Sequence, residues 1–326
     1  MILSKTNYRV SILGGSVDFP EFYSQYGGYL IGFPLKQHVY TMINFIPELN
    51  HTRYQAFYSF PEKVAQISEF KNPAIYGSLT YLESKLGKLP PLSIHLNNTL
   101  PSRSGLASSS ALILGIIQGI LTLLGHEFTK KDLADMTNHI ERIVLAEPGG
   151  RQDPWFCSHA GLGSLIMDKS GNISHKQFNL SENFINEFKK SSIIFYYSER
   201  ESFKVAKSYT YKQAEKYKLR LLDIAKEGKS AFEAENINWI IDLLKQNWAE
   251  KRQISKLIST PEIDKINDII TSRGGSAKVC GSGGGGGIYC LCPIDKREEI
   301  ISLVNLPTIP VDIDLKGAEI IYNDEN

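Results

Sequence analysis

The chain has 326 residues, with 36 Lys+Arg against 35 Asp+Glu for a net charge of +1. At roughly 150 residues per domain that length implies about two domains and ample chain for a buried core. Its 42% hydrophobic and 22% charged composition excludes disordered, collagenous and fibrous classes, and a near-neutral balance gives no global field for nucleic acid or an anionic membrane.

No targeting signal is visible. Met1 to Arg9 lacks the basic, apolar, small-residue order of a signal peptide. The most apolar stretch, Ala111 to Leu124, is interrupted by Gln118 and is too short to span a bilayer. Cys157, Cys280, Cys290 and Cys292 have no metal-ligand spacing, so reduced thiols in a cytoplasmic enzyme are expected.

In chain order, β-prone Tyr8 to Leu13 runs into Gly14-Gly15, and Gly27-Gly28 precede two strand-like runs, 29–33 and 37–44. Residues 73–86 carry Ile75, Leu79, Leu82 and Leu86 at helical spacing, and 92–96 alternates as a strand. A polar loop then opens onto an apolar helix, 107–124. Residues 130–145 read as a helix capped by Thr129 with Asp132 at its third position. Runs 161–167 and 191–197 are strand-like; 202–273 is charged and helical, with Gly228 its lone glycine. That shift puts a boundary near residue 190. Residues 274–293 return to glycine-flanked strands, and 311–315 and 319–322 are expected to finish a sheet.

Glycine is ordinary in number, 26 of 326, but bunched. The segment Leu100-Pro101-Ser102-Arg103-Ser104-Gly105-Leu106-Ala107-Ser108-Ser109-Ser110-Ala111 leads straight into the apolar helix. Unpaired amides and the macrodipole at such a helix start make an anion site, and one serine would have sufficed as a cap. A second bunch, Gly281 and Gly283 to Gly287, lies between strand-like segments, where a free linker is unfavourable and close backbone approach is expected. A third ends the first strand at Gly14-Gly15-Ser16-Val17-Asp18. Gly228-Lys229-Ser230 is not a phosphate loop, because Asp223 stands where the first glycine is needed and the surroundings are helical. Glu141 and Asp153, the latter after a Pro-Gly-Gly turn, are paired carboxylates suited to a metal ion and a substrate hydroxyl.

Together these residues resemble the galactokinase, homoserine kinase, mevalonate kinase and phosphomevalonate kinase (GHMP) superfamily. The serine loop is similar to its central Pro-x-x-x-Gly-Leu-Gly-Ser-Ser-Ala signature, with Ala107 at the second glycine; Arg9 to Asp18 resembles its first motif and Lys278 to Gly286 its third. Within the superfamily the chain most resembles the D-glycero-D-manno-heptose 7-phosphate kinases, through Gly14 to Tyr23, Tyr26-Gly-Gly28, His139-Ile-Glu-Arg142, Glu147 to Asp153 and Asn247 to Arg252. It departs at Ser16 and Val17, where Gly-Thr is usual, and lacks the Glu-His pair of galactokinases.

The resemblance implies an α+β, two-domain fold. An N-terminal ATP-binding half (1–190) would be like ribosomal protein S5 domain 2 and a C-terminal half (191–326) ferredoxin-like, with the site in the cleft between them. It implies transfer of the γ-phosphoryl of ATP, with Mg²⁺, to the anomeric hydroxyl of a heptose 7-phosphate for nucleotide-activated heptose synthesis. Another GHMP substrate or a silent nucleotide-binding paralogue are the alternatives, and the oligomeric state stays open, a homodimer among the options. By motif, Pro101 to Ser110 would cradle ATP, with Ser109 and Glu141 holding Mg²⁺. Asp153 would be base or orienter, supported by Arg9. Ser16, Asp18, Gln152, Gly283, Gly284, Gly285 and Gly286 would face the acceptor. Arg151, Arg200, Lys204, Lys251 and Arg252 are candidates for a second phosphate, with Lys251 and Arg252 favoured by the family pattern.

Overall fold

The computed structural model describes residues 1–48, 52–101, 103–198 and 211–324, and the side chains of 211–213 are not described. Ser102, Arg200 and Lys204 therefore lie outside the described residues.

The first layer is a mostly antiparallel sheet built on two long strands, β1 (Ile2–Leu13) and β2 (Gly28–Phe45). Strands β3 (Tyr54–Phe57), β4 (Pro61–Val64) and β5 (Leu92–Asn98) follow, giving the order β12-β1-β2-β5-β3-β4 with β12 at Glu319–Asn323. The two strand-like runs expected around Pro34 are one continuous strand. Its register against β1 shifts between Asn7 and Tyr8, and from there its first half pairs with β6 (Gly163–Met167) and its second with β5. A bulge of this kind bends a strand without ending it. β7 (Ile173–Gln177) extends the β6 edge.

Helix α1 (Pro20–Tyr26) follows β1, α3 (Ser108–Leu123) packs on β1 and β2, and α2 (Pro73–Leu86) packs on α3. The apolar α3 approaches so closely that a Cβ on Gly115 would sit 2.5 Å from Thr41 Oγ1. Gln118, the polar interruption in that helix, is buried and accepts from Ser4 Oγ at 3.1 Å. Helix α4 (Lys130–His139) begins with the expected reciprocal Thr129–Asp132 capping box. It then widens into a π turn over Ile140–Val144, where a uniform helix to 145 is expected, so Glu141 sits on the wide turn. Such turns recur at functional sites. Helix α5 (Gln152–Ser158) carries Asp153 in its first turn.

After α6 (Glu182–Ser191), strand β8 (Ser192–Ser198) opens a second sheet, ordered β11-β8-β10-β9. Between β8 and β9 (Ser276–Val279) come α7 (Tyr211–Glu233), α8 (Ile237–Lys251) and α9 (Pro261–Thr271). β10 (Gly286–Leu291), α10 (Arg297–Val304) and β11 (Thr308–Ile309) complete it. In chain order the strands lie 4-1-3-2 with helical crossovers, the split βαβ arrangement of ferredoxin-like folds. Gly228 lies inside α7, as its helical surroundings require.

The chain then returns to the first sheet. β12 pairs with β1, Ile2 opposite Asn323. The strand expected at 311–315 does not form: only Ile313 bridges, to Leu35, and Asp314 turns its carboxylate onto the Lys316 and Gly317 amides. All four cysteines are buried and unbridged. Among the described residues no helix is long and apolar enough to cross a membrane.

Candidate active site

A cleft of about 490 Å³ opens where β1, the start of α3, the wide turn after α4, the start of α5 and the loop after β9 converge. The serine loop forms one wall. Gly105 has φ 81°, and a Cβ there would lie 2.9 Å from the Cys280 carbonyl oxygen, so only glycine lets these backbones meet. Ala107 adopts the left-handed conformation, φ 67° and ψ 38°, immediately before α3, and no side chain caps that helix. Its first-turn amides are therefore available to an anion. Gly105, Ala107, Ser108, Ser109, Ser110 and Arg103 line the cleft.

Other members of the loop hold it in place. Ser104 is buried and its carbonyl accepts from Gly287 N–H at 2.6 Å; Leu106 is core, its carbonyl accepting from Arg9 N–H at 3.0 Å. Pro101 is exposed at the loop's entrance and does not reach the cleft.

Both carboxylates face this loop. Ser110 Oγ donates to Glu141 Oε1 at 2.6 Å, so the pairing runs through Ser110, with Ser109 alongside in the cleft wall. Burial pushes the Glu141 carboxyl up to about 8, with the Asp153 and Glu147 charges adding to it and the Ser110 bond opposing it. One carboxyl beside two hydroxyls suits a hard cation that completes its shell with water and with the oxygens of phosphates held by the helix-start amides. Among the described residues no group of three His, Cys, Asp or Glu side chains could hold a metal alone.

Asp153 pairs with Arg9, whose Nη2 lies 2.8 Å from its Oδ1. Burial works against the Arg9 charge, but the Asp153 ion pair and hydrogen bond together with Cys157 and Cys280 more than offset it, and the guanidinium stays protonated.

The Gly14–Asp18 turn forms the other end. Gly14 N–H donates to Asn247 Oδ1 at 2.8 Å, which fastens the turn to α8. Asp18 is fully buried; its Oδ2 accepts from Gln152 N–H at 3.0 Å while its Oδ1 has no partner. Burial, together with the Asp153 charge, raises its carboxyl above the ordinary range. Gln152 Oε1 is likewise buried without a partner, and Ser16 completes this polar end.

Three expectations need correction. Gly283 to Gly286 do not line the cleft: a Cβ on Gly283 would meet the Ile258 backbone at 2.8 Å, and one on Gly286 the Ser104 carbonyl at 2.6 Å. The glycine run is needed for contact with protein backbone, and only Gly281 and Ser282 at its head reach the cleft. Arg252 points away and pairs with Asp264 at 3.0 Å. Arg151 is engaged by Asp135 at 2.7 Å and the Gly171 carbonyl at 2.5 Å. Lys251, in contrast, does line the cleft.

The cleft also recruits residues without an expected role: Ser11, Phe19 and Lys278. The signal for Ser11 was available, since it stands two residues after Arg9 on one strand and shares its face.

Comparison with known proteins agrees with this geometry. The GHMP kinases N terminal domain matches residues 74–161 and the GHMP kinases C terminal domain residues 229–305, together half of the chain. A D-glycero-alpha-D-manno-heptose 7-phosphate kinase from Campylobacter jejuni is 21% identical over 315 residues, 92% of either chain. A mevalonate kinase from Methanocaldococcus jannaschii is 25% identical over 238 residues, 71% of either chain. Among solved structures, a D-glycero-D-manno-heptose 1-phosphate kinase from Bacteroides thetaiotaomicron superposes with a TM-score of 0.82 at 18% identity, covering 99% of this chain and 100% of that one. Streptococcus pneumoniae phosphomevalonate kinase, in complex with phosphomevalonate and AMPPNP, superposes at 0.74 and 15% identity, covering 98% and 100%. The chain belongs to the GHMP kinases and is a phosphotransferase with an alcohol group as acceptor.

Proposed function

We propose that the protein transfers the γ-phosphoryl group of ATP to the anomeric hydroxyl of D-glycero-D-manno-heptose 7-phosphate, giving the 1,7-bisphosphate for nucleotide-activated heptose synthesis. The observation that carries this is one cleft in which an uncapped helix start, the Ser110–Glu141 pair and the Arg9–Asp153 pair converge on a polar acceptor end. The full-length likeness to the Campylobacter jejuni heptose 7-phosphate kinase supports the choice of sugar. Buried, unpartnered acceptors at Asp18 Oδ1 and Gln152 Oε1 favour a polyol, rich in O–H donors, over mevalonate, whose own carboxylate adds acceptors and negative charge.

In this reading the α3 amides with Ser108 to Ser110 hold the ATP phosphates. Glu141 and the Ser109 and Ser110 hydroxyls would hold Mg²⁺, which offsets phosphate charge when bound. Asp18, Ser16 and Gln152 orient the sugar so that its anomeric hydroxyl meets Asp153. As that oxygen bonds to the γ-phosphorus, the bond to the bridging β–γ oxygen breaks and ADP leaves, while the hydroxyl proton passes to Asp153. Arg9 offsets the negative charge gathering between Asp153 and the phosphoryl group. With a loose transition state most of the gain comes from positioning, so Asp153 acts as orienter as much as base.

The test is ADP formation across heptose 7-phosphate, fucose, galactose and mevalonate. Heptose 7-phosphate should give the highest kcat/KM; turnover with none of the sugars would overturn the reading.

A further inference from the structure

Three side chains line the cleft with no role in the chemistry above: Ser11 from β1, Lys251 from the end of α8 and Lys278 from β9. Each is more than nine-tenths buried, with exposures of 7%, 3% and 1%. Lys278 Nζ donates to the carbonyl of Ile12, the residue after Ser11, at 2.9 Å, and both Lys278 and Ser11 line the cleft. Lys251 Nζ donates to the carbonyls of Val279 at 3.3 Å and Gly281 at 2.6 Å, so it arches over the residues that follow Lys278. Ser11 Oγ is buried and has no partner.

Among the described residues the full charges acting on Lys278, those of Lys251 and Arg9, are of one sign. Burial, then the Lys251 charge, push the Lys278 ammonium well below its ordinary value, and among the described residues the groups acting on it include Lys251, Cys280 and Arg9 but no carboxylate, so a bound anion would be what holds it protonated. Arg9 is already matched by Asp153. An ammonium has three N–H donors and Lys278 gives one to Ile12, so the remaining donors and the Ser11 hydroxyl are suited to a tetrahedral, doubly charged oxyanion. A buried ammonium keeps its proton at least cost when an anion pairs with it.

Position decides which anion. Nucleotide phosphates have the α3 start and its hydroxyls. Ser11 shares the Arg9 face of β1 but lies two residues further toward the Gly14–Asp18 turn, a step of about 7 Å. That step is comparable to a sugar ring between its anomeric oxygen and a phosphate on its terminal carbon.

We propose that Ser11, Lys251 and Lys278 seat a phosphate monoester carried by the acceptor, and that this seat makes the enzyme select phosphorylated over unphosphorylated sugars. The proposal rests on the sugar-kinase reading of the cleft. A site built to bond a group discriminates strongly against analogues lacking it.

The experiment compares kcat/KM for heptose 7-phosphate and for unphosphorylated heptose in the wild type and in Lys278→Met, Lys251→Met and Ser11→Ala. The preference for the phosphorylated sugar should fall about 100-fold in the lysine variants and about 10-fold in Ser11→Ala, through a higher KM for that sugar. Lys278→Arg should recover part of the preference. An equal fall for both sugars would overturn the seat, because a structural role or a role at the transferring phosphoryl affects both alike. If the lysine variants do not fold, Ser11→Ala decides: an unchanged preference overturns the proposal. Should the wild type turn over no sugar at all, the kinase reading fails, and the seat is read separately by ³¹P line broadening of inorganic phosphate on the ADP-bound protein. Broadening abolished by Ser11→Ala or Lys278→Met supports the seat. Absent or unaltered broadening contradicts it.

Discussion

Arg9 donates from Nε to Asp153 Oδ1 at 2.9 Å, its Nη2 lies 2.8 Å from the same oxygen, and its Nη1 donates to the Gly105 carbonyl at 2.8 Å. A single buried guanidinium thus ties the candidate base to the phosphate loop. Asp153→Asn should reduce kcat by about 10²–10⁴-fold while nucleotide affinity changes little. Steady-state kinetics with a nucleotide-binding titration checks this; loss of folded structure by circular dichroism would instead mark Asp153 as structural. Arg9→Lys should lose most of the rate as well, since an ammonium cannot span both partners in the same planar geometry.

The Glu141 carboxyl gives a pH signature. Its folded value of about 8 lies above the ordinary 4.5, so the stability tied to its protonated form is complete below about 4.5 and lost as pH rises through 8. Glu141→Gln mimics the protonated form. Without metal or nucleotide, wild type and variant should melt together at acidic pH, and the variant should be the more stable by about 1–2 kcal/mol above pH 8. Melting curves from pH 5 to 9 test this, and a difference independent of pH would contradict it. Divalent-cation–nucleotide affinity in the wild type should rise with pH over the same range, because binding displaces the proton.

Gly150 is confined by Asp18. A Cβ there would lie 1.9 Å from Asp18 Oδ2, whereas Gly149 has open space around it. Gly150→Ala should therefore displace the Asp18 carboxylate and raise the acceptor KM at least about tenfold, with nucleotide binding retained. Gly149→Ala should be close to neutral in both.

Three non-glycine residues that line the cleft have positive φ, Ser16 at 60°, Arg103 at 59° and Ala107 at 67°. Left-handed torsions cost an L-residue about 1–2 kcal/mol, partly offset by the greater freedom of glycine in the unfolded chain. Ala107→Gly should be neutral to stabilising by up to about 1 kcal/mol, read as a higher urea midpoint at constant slope. Destabilisation would mean that the Ala107 methyl packs more usefully than its torsion costs.

Much of this site was legible because its chemistry is local. Helix starts, serine hydroxyls and the two carboxylates announce themselves through spacing, and the Thr129–Asp132 box formed as its residues dictate. The glycine run misled because glycine reports close approach without naming the partner: Gly283 and Gly286 make room for the backbone of Ile258 and Ser104, which are distant in sequence. Arg252 and Lys251 are adjacent in the chain, yet a helix places neighbours about 100° apart, so one enters the cleft and the other pairs with Asp264. Lys278 was hidden for a different reason. Only the crossing of β9 near β1 brings its ammonium to Ile12 and Ser11. The 311–315 segment alternates like a strand, but only Ile313 finds a pairing partner.

The most direct test of the account is ³¹P NMR of the product formed from ATP and heptose 7-phosphate. Phosphoryl transfer to the anomeric hydroxyl predicts a new resonance coupled to the C1 proton, appearing in step with ADP and nearly absent for Asp153→Asn. ADP formation without that resonance, phosphorylation at another hydroxyl, or no sugar-dependent turnover would contradict it.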